Sequence, residues 1–355
     1  MFTERRLQRD RNEWAAELGI SREAVDLYLS SDVIDLHTDS FIWSRLGYDL
    51  TKRHGSGVFG ARFYGHVDFP RALDAGLTSA MWSITTNPFR GARSRHRTFE
   101  KNLAHLKALF LQMDDSFQLV TTREEHDAAR AVGKHAAMIA IQGGNALDVD
   151  DAALECLADG SVMRVTLVHL SRSKIGQSSA PLRWSDTGLG PRGAHTVKRL
   201  NELRVLVDVA HISPQSFVQV AALHDPSLPL VCTHTGVSGV FPSWRNLDDK
   251  QLRAIAATGG TVGVIFHSPY LEGRYVRGRA SAIVDHMQHI VDVVGDDHVS
   301  IGSDWDGAIT TPRDMPTCLE LPKLVQLMLD RGFGDDRIRK ILGGNFLRVL
   351  RHLRG

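Results

Sequence analysis

Residues 136–148 read AAMIAIQGGNALD. Six apolar residues run from Ala136 to Ile141, one amide follows at Gln142, and Gly143-Gly144 closes the run. An apolar run of that length ended by two glycines predicts a buried strand entering a tight turn. The pattern recurs along the chain. VIDLH starts at Val33, TSAMWSI at Thr78, VMRVTLVH at Val162, VLVDVAH at Val205, PLVCTH at Pro229, GTVGVIF at Gly260 and VSIGSDWD at Val299. Most of the gaps carry helical periodicity, as in RTFEKNLAHLKALFLQM from Arg97, and Ser213-Pro214 is a helix-start signal. Strands alternating with helices imply parallel pairing with right-handed crossovers, and eight such units imply a closed (β/α)8 TIM barrel. An open doubly wound sheet is the competitor, but no Gly-rich phosphate fingerprint follows the first strand. The barrel is assigned to residues 31–355 and an N-terminal helical extension to residues 1–30. Two connections, from Ser40 to about Pro70 and from Leu170 to about Pro191, are long enough to cover a site at the barrel mouth.

The bulk numbers agree with one large core. The chain has 355 residues, 43% hydrophobic and 23% charged, which excludes disorder. A net charge of +1 with scattered Lys and Arg provides no basic field for nucleic acid or an anionic membrane. No apolar run approaches spanning length, and the N-terminus has no secretory core, so a cytoplasmic protein is expected. Cys156, Cys232 and Cys318 are far apart and form no CxxC, which argues against a disulfide scaffold or a zinc ribbon.

In a TIM barrel the chemistry sits where the strands end. Here those ends are polar: His37-Thr38-Asp39, His169, His211, His234 and Ser303-Asp304-Trp305-Asp306. Residues two apart in a strand share a face, so His37 and Asp39 point the same way. One histidine at a strand end is ordinarily a satisfied rim residue. Several inward His and Asp at one mouth would carry a large desolvation cost that a bound cation relieves. Imidazole with carboxylate suits Zn²⁺, with other divalent ions as alternatives.

At this point the chain resembles the renal (membrane) dipeptidase family, zinc hydrolases of the amidohydrolase superfamily. The matching segments are IDLHTD, HVDFPRALDAGLTSAMWSI, AIQGGNAL, RVTLVHL, VLVDVAHIS, LVCTHTGV, RNLDD, GGTVGVIF, IGSDWDG and GGNFLRVL, in family order. The resemblance implies that His37 and Asp39 are ligands of one zinc ion and His211 and His234 of a second. It implies that His169 contacts the substrate and helps polarise the scissile carbonyl. Arg245 corresponds to the arginine that holds the substrate carboxylate. Asp304 corresponds to the acid/base that orients the attacking water and passes its proton to the leaving amine.

Gln142 stands where the family carries a glutamate that bridges both metals. An amide offers one neutral oxygen and an NH₂ that repels cations, so the second ion loses its bridge. A single ion drawing on His37, Asp39 and His211, with Asp304 as a further candidate, is therefore favoured. His234 then becomes a hydrogen-bonding or acid/base group. Asn145 replaces a histidine usual in the family, RNLDD lacks the usual proline, and His267 follows GVIF where a tyrosine is expected. The leading expectation is a metal-dependent hydrolase of a dipeptide or similar small carboxylate-bearing amide, with Asn145 and His267 among the substrate contacts. The alternatives are a biosynthetic tailoring enzyme acting on a non-peptide substrate and a catalytically silent binding protein. A homodimer is one possible assembly, and no nucleic acid or membrane partner is expected.

Overall fold

The computed structural model describes residues 9–55, 61, 63–87, 89–170, 173–180, 186–273 and 277–355. Its strands are β1 (Ile34–Thr38), β2 (Ser79–Thr85), β3 (Phe117–Leu119), β4 (His135–Gln142), β5 (Val162–Thr166), β6 (Leu206–Asp208), β7 (Cys232–Thr235), β8 (Val262–Val264) and β9 (Val299–Ile301). Every position of β2 and β4 is buried, as expected of parallel strands covered on both faces. These two pair without a break from Ser79↔Ala136 to Thr85↔Gln142.

The strand order is β6-β5-β4-β2-β1-β9-β8-β7, all parallel. The ring closes between β6 and β7 through the parallel bridge Asp208↔Val231. Two backbone bonds hold that seam, Val209 N–H to Val231 O (2.9 Å) and Val231 N–H to Val207 O (3.2 Å). The result is the eight-stranded (β/α)8 barrel read from the sequence. β3 is additional: it pairs with the start of β4, ahead of the stretch of β4 that pairs with β5. Three residues are too few to show periodicity, so sequence reading passed over it.

Crossover helices supply the outer layer, the longest being Ala92–Gln112. Helix Pro214–Leu223 has Ser213 as its cap, the hydroxyl accepting from Ser216 N–H. The helices Arg11–Leu18 and Arg22–Leu29 precede β1 and join the main core through Trp14, Val25 and Tyr28. Tyr28 also donates to Ala75 O (2.7 Å). The C-terminal helix Asn345–Arg354 packs Phe346, Leu347 and Leu350 into a second cluster with Ile34, Leu36 and Met138. Of the two long connections, residues 56–60, 62, 171–172 and 181–185 lie outside the described residues. No helix among the described residues is long and apolar enough to cross a membrane.

Candidate metal centre and its surroundings

His37 lies on β1, His234 on β7, and Asp304 three residues beyond β9. Barrel closure brings them together. One ligand atom from each falls within 4.8 Å of the other two, and all three residues are buried. The His37 and His234 rings stack at 3.9 Å between centroids. His37 Nε2 is 3.5 Å from Asp304 Oδ1 and 3.4 Å from Asp39 Oδ1. This triad differs in membership from the single-ion set favoured by sequence: His234 stands in it and His211 stands one step out, its Nε2 2.9 Å from His234 Nε2.

Whether these side chains fit a cation depends on which ring nitrogens are bare. Thr233 Oγ1 donates to Asp208 Oδ2 (2.7 Å), so it accepts the Nδ1 proton of His234 at 3.0 Å. That leaves His234 Nε2 with a lone pair facing the triad. His37 Nδ1 has two neighbours, Ser83 Oγ at 3.2 Å and Arg164 Nη2 at 2.8 Å. Ser83 can take the Nδ1 proton, and His37 Nε2 is then bare too. A guanidinium only donates, so the Arg164 contact instead places the proton on Nε2, facing the carboxylates. Two imidazoles and a carboxylate therefore fit one divalent cation of the zinc type when Ser83 is the Nδ1 partner.

The second half of the pocket is poorer in charge. Gln142 closes β4 as expected, and its amide Nε2 lies 3.3 Å from His211 Nε2. Its Oε1 is 3.5 Å from the Thr85 hydroxyl, which donates to Asp39 Oδ1 at 2.6 Å. His211 Nδ1 is buried without a hydrogen-bond partner. Burial, then the Arg245 charge, holds His211 well below the usual histidine pKa, and burial with His37 does the same for His234. Both are neutral and able to ligate. Burial and the neighbouring Asp39 carboxylate raise Asp304 well above the usual range. Burial acts the same way on Asp39 but is outweighed by His37 and the Thr85 hydrogen bond, so Asp39 is held low. Without a cation the two carboxyl groups are thus pushed in opposite directions, Asp39 toward its ionised form and Asp304 toward its protonated form.

The rim residues divide into two groups. Arg245 is 3% exposed, donates to His234 O through Nη2 (2.7 Å), and leaves its Nε without a partner. It makes no ion pair among the described residues, so a positive charge is buried next to the triad. His267 caps the helix Ser268–Glu272 and accepts from Thr310 N–H through Nδ1 (2.8 Å). On the other side, His169 follows β5 and meets His211 edge-on at 4.7 Å. Burial pushes its pKa down to about 4. Asn145 sits in the turn Gly144–Ala146 with its Oδ1 buried and unpartnered. A Cβ on Gly143 would lie 3.0 Å from Asn145 Oδ1 and 3.4 Å from His169 Cβ, so these three are packed together.

Backbone strain marks the same places. His211 (φ 64°), Asp304 (φ 62°) and Asp306 (φ 66°) are left-handed without being glycine. Such strain persists where the surroundings enforce it, commonly at functional sites. Asp304 N–H is tied to His37 O (3.0 Å), and Asp306 is held by His66 N–H on Oδ1 (2.8 Å).

Three supporting residues escaped the sequence reading. Thr85 links Asp39 to Gln142, and Arg164 and Asp208 form a fully buried pair at 2.8 Å beneath the histidines. Asp208 also accepts from Thr166 Oγ1 (2.6 Å), Thr233 Oγ1 (2.7 Å) and the Thr233 and Ala210 amides. The available signal was a charged residue in the middle of an apolar strand, Arg in VMRVT and Asp in VLVDV.

A family profile described as membrane dipeptidase, peptidase family M19, matches residues 21–354. Dipeptidase aclJ of Aspergillus oryzae (strain ATCC 42149 / RIB 40) is 25% identical over 329 residues, covering 89% of this chain and 76% of the relative. A crystal structure of dipeptidase AC, a family M19 metallopeptidase, superposes with a TM-score of 0.81 at 27% identity, covering 91% of this chain and 98% of the other. A Rhodobacter sphaeroides metallopeptidase carrying a phosphinate mimic of the dipeptide L-Ala-D-Ala gives 0.81 at 25% identity, covering 91% and 99%. A profile match over nearly the whole length, on a barrel with His, Asp and Arg gathered at its mouth, settles the assignment: the chain belongs to the membrane dipeptidase family, M19, of metal-dependent hydrolases.

Proposed function

We propose that this protein hydrolyses the amide bond of a dipeptide, or of a similarly small amide with a free carboxylate, using one divalent cation held by His37, His234 and Asp304. The observation that carries the reading is Arg245, a buried guanidinium beside the triad with no anionic partner and an unsatisfied Nε among the described residues. A buried charge of this kind is costly unless an anion meets it, and a carboxylate matches the guanidinium fork. The unpartnered Asn145 Oδ1 by His169 adds a buried acceptor, suited to a donor group on the ligand.

The cation, when bound, supplies Lewis acidity toward the carbonyl and a more acidic water. The chain's own residues do the rest. Arg245 anchors the carboxylate and fixes the position of the scissile bond. Asp304, at the edge of the triad, takes a proton from the attacking water and returns it to the departing amine. His169, neutral at pH 7, donates a hydrogen bond to the carbonyl oxygen as negative charge grows there.

The test is turnover of a dipeptide panel by metal-depleted protein, with and without added Zn²⁺. Zn²⁺-dependent hydrolysis that Arg245→Ala abolishes is expected. Absence of hydrolysis across the panel with Zn²⁺ bound overturns the proposal.

A further inference from the structure

A cavity of about 730 Å³ is lined by Trp244, the residue before Arg245, together with Phe63, Phe241, His267, Tyr270 and Thr310, among others. No Asp, Glu, Lys or Arg lines it among the described residues. Its aromatic rings are arranged edge to face. Tyr270 lies 5.4 Å from Trp244 at 80° and 4.6 Å from His267 at 76°. Phe63 and Trp244 are each 40% exposed, high for side chains of that size.

The walls are held in place. Asn246 Nδ2 donates to Phe241 O (2.8 Å) and Tyr270 O (2.7 Å), while its Oδ1 accepts from Gly236 N–H (3.2 Å), two residues beyond His234. One side chain therefore braces both aromatic segments against the strand that carries a triad member. Gly273 is left-handed (φ +71°), and a Cβ there would come within 2.6 Å of the Phe241 ring. Phe63 is itself left-handed (φ 75°), a conformation rare for aromatic residues, and its N–H is tethered to Ile309 O (3.0 Å). A braced cavity of this size falls within the range of small-molecule sites, and an alanyl side chain would leave most of it unfilled.

We infer that this cavity is a specificity subsite for the side chain of the carboxylate-bearing residue of the substrate, and that this side chain is aromatic or large and apolar. The inference rests on the proposed role of Arg245. Trp244, which lines the cavity, is its neighbour in the chain, and Asn246, one residue further, braces the cavity walls. A carboxylate on Arg245 would therefore hold the substituent on its α-carbon within reach of these rings. The uncharged lining disfavours lysyl or glutamyl side chains, which would lose hydration without gaining a partner.

Equilibrium binding separates this inference from the reading it builds on. N-acetyl-phenylalanine, N-acetyl-tryptophan, N-acetyl-lysine and N-acetyl-alanine would be titrated calorimetrically into wild-type, Trp244→Ala and Arg245→Ala protein. The two aromatic ligands should bind at least about tenfold tighter than the alanine ligand, since burying an aromatic ring is worth that much or more. Trp244→Ala should erase that preference, and Arg245→Ala should weaken all four ligands together. Equal affinity for the four, or no measurable binding of any, overturns the subsite. An aromatic preference that survives intact in Arg245→Ala leaves an apolar site but overturns the carboxylate anchor. Loss of a dimer in Trp244→Ala, with ligand preference unchanged, assigns the face to a second copy of the chain and also overturns the subsite.

Discussion

The Nε2 atoms of His211 and His234 lie 2.9 Å apart, a distance at which one nitrogen must donate a proton and the other accept it. The Nδ1 proton of His234 goes to Thr233, so in the cation-free pocket His211 donates to His234 Nε2, and a cation held by His234 would take the place of that hydrogen bond. The neutral Gln142 amide lies 3.3 Å from His211 Nε2, where a carboxylate would place a negative charge.

Gln142→Glu supplies that charge at almost unchanged volume. The variant is expected to take up two ions and the native protein one, as measured by elemental analysis after dialysis. Zn²⁺ should also raise its melting temperature further, since ligand at a hundredfold its Kd adds about 2.7 kcal/mol. Equal stoichiometry in the two proteins would show that residue 142 does not face the cation.

His234→Ala and His211→Ala discriminate between the triad seen here and the one favoured by sequence. Removing His234 should abolish tight binding of the first ion, whereas removing His211 should leave it in place. Calorimetric titration with Zn²⁺ reads the difference directly. The reverse result would put His211 in the primary site.

Two buried arginines should respond in opposite ways to removal. Arg164 and Asp208 are fully buried and paired, so Arg164→Met strands the carboxylate and should cost about 3–5 kcal/mol of stability. Arg245 has no ionic partner among the described residues, so Arg245→Ala should leave the melting temperature unchanged or slightly raised. It should still lose about 2–5 kcal/mol of carboxylate binding. A large drop in melting temperature for Arg245→Ala would make that residue structural.

Acid should destabilise the fold at a pH above the ordinary carboxylate range. Burial depresses His135 to about 3 and His267 to about 4, from an ordinary 6.5. Below 6.5 the unfolded chain takes up protons that these folded side chains refuse. Their contribution is complete above pH 6.5 and is lost as the pH falls toward 4, at about 1.4 kcal/mol per pH unit for each histidine. Thermal melts from pH 7.5 to 5 should show the decline, and a flat profile would contradict the burial of these rings.

The barrel was legible because each main strand is a short, mostly apolar run, as the burial of β2 and β4 on both faces requires, and most of the gaps between runs carry helical periodicity. The histidines and Asp304 were legible because they occupy those strand ends. Which of them converge was not. His211 and His234 end neighbouring strands with similar motifs, but His211 sits in a left-handed turn and outside the triad. Arg164 and Asp208 were hidden by their place within apolar runs, where sequence alone cannot show that the two charges meet. The aromatic cavity joins Phe63 to residues 241–273 and 310, a neighbourhood that only the closed barrel creates.

Closure itself has a dynamic consequence. Between Asp208 and Val231 the ring is joined by a short backbone seam, and the strands on its two sides lead to His211 and His234. Transient opening there would part the two rings, so the pocket's integrity is tied to the breathing of one join. A ligand or ion that engages both strands acts as a clasp across it. Amide hydrogen exchange at Val209 and Val231, whose N–H groups form the seam, should slow when the pocket is filled, while exchange within the long β2–β4 ladder is already limited by its own pairing.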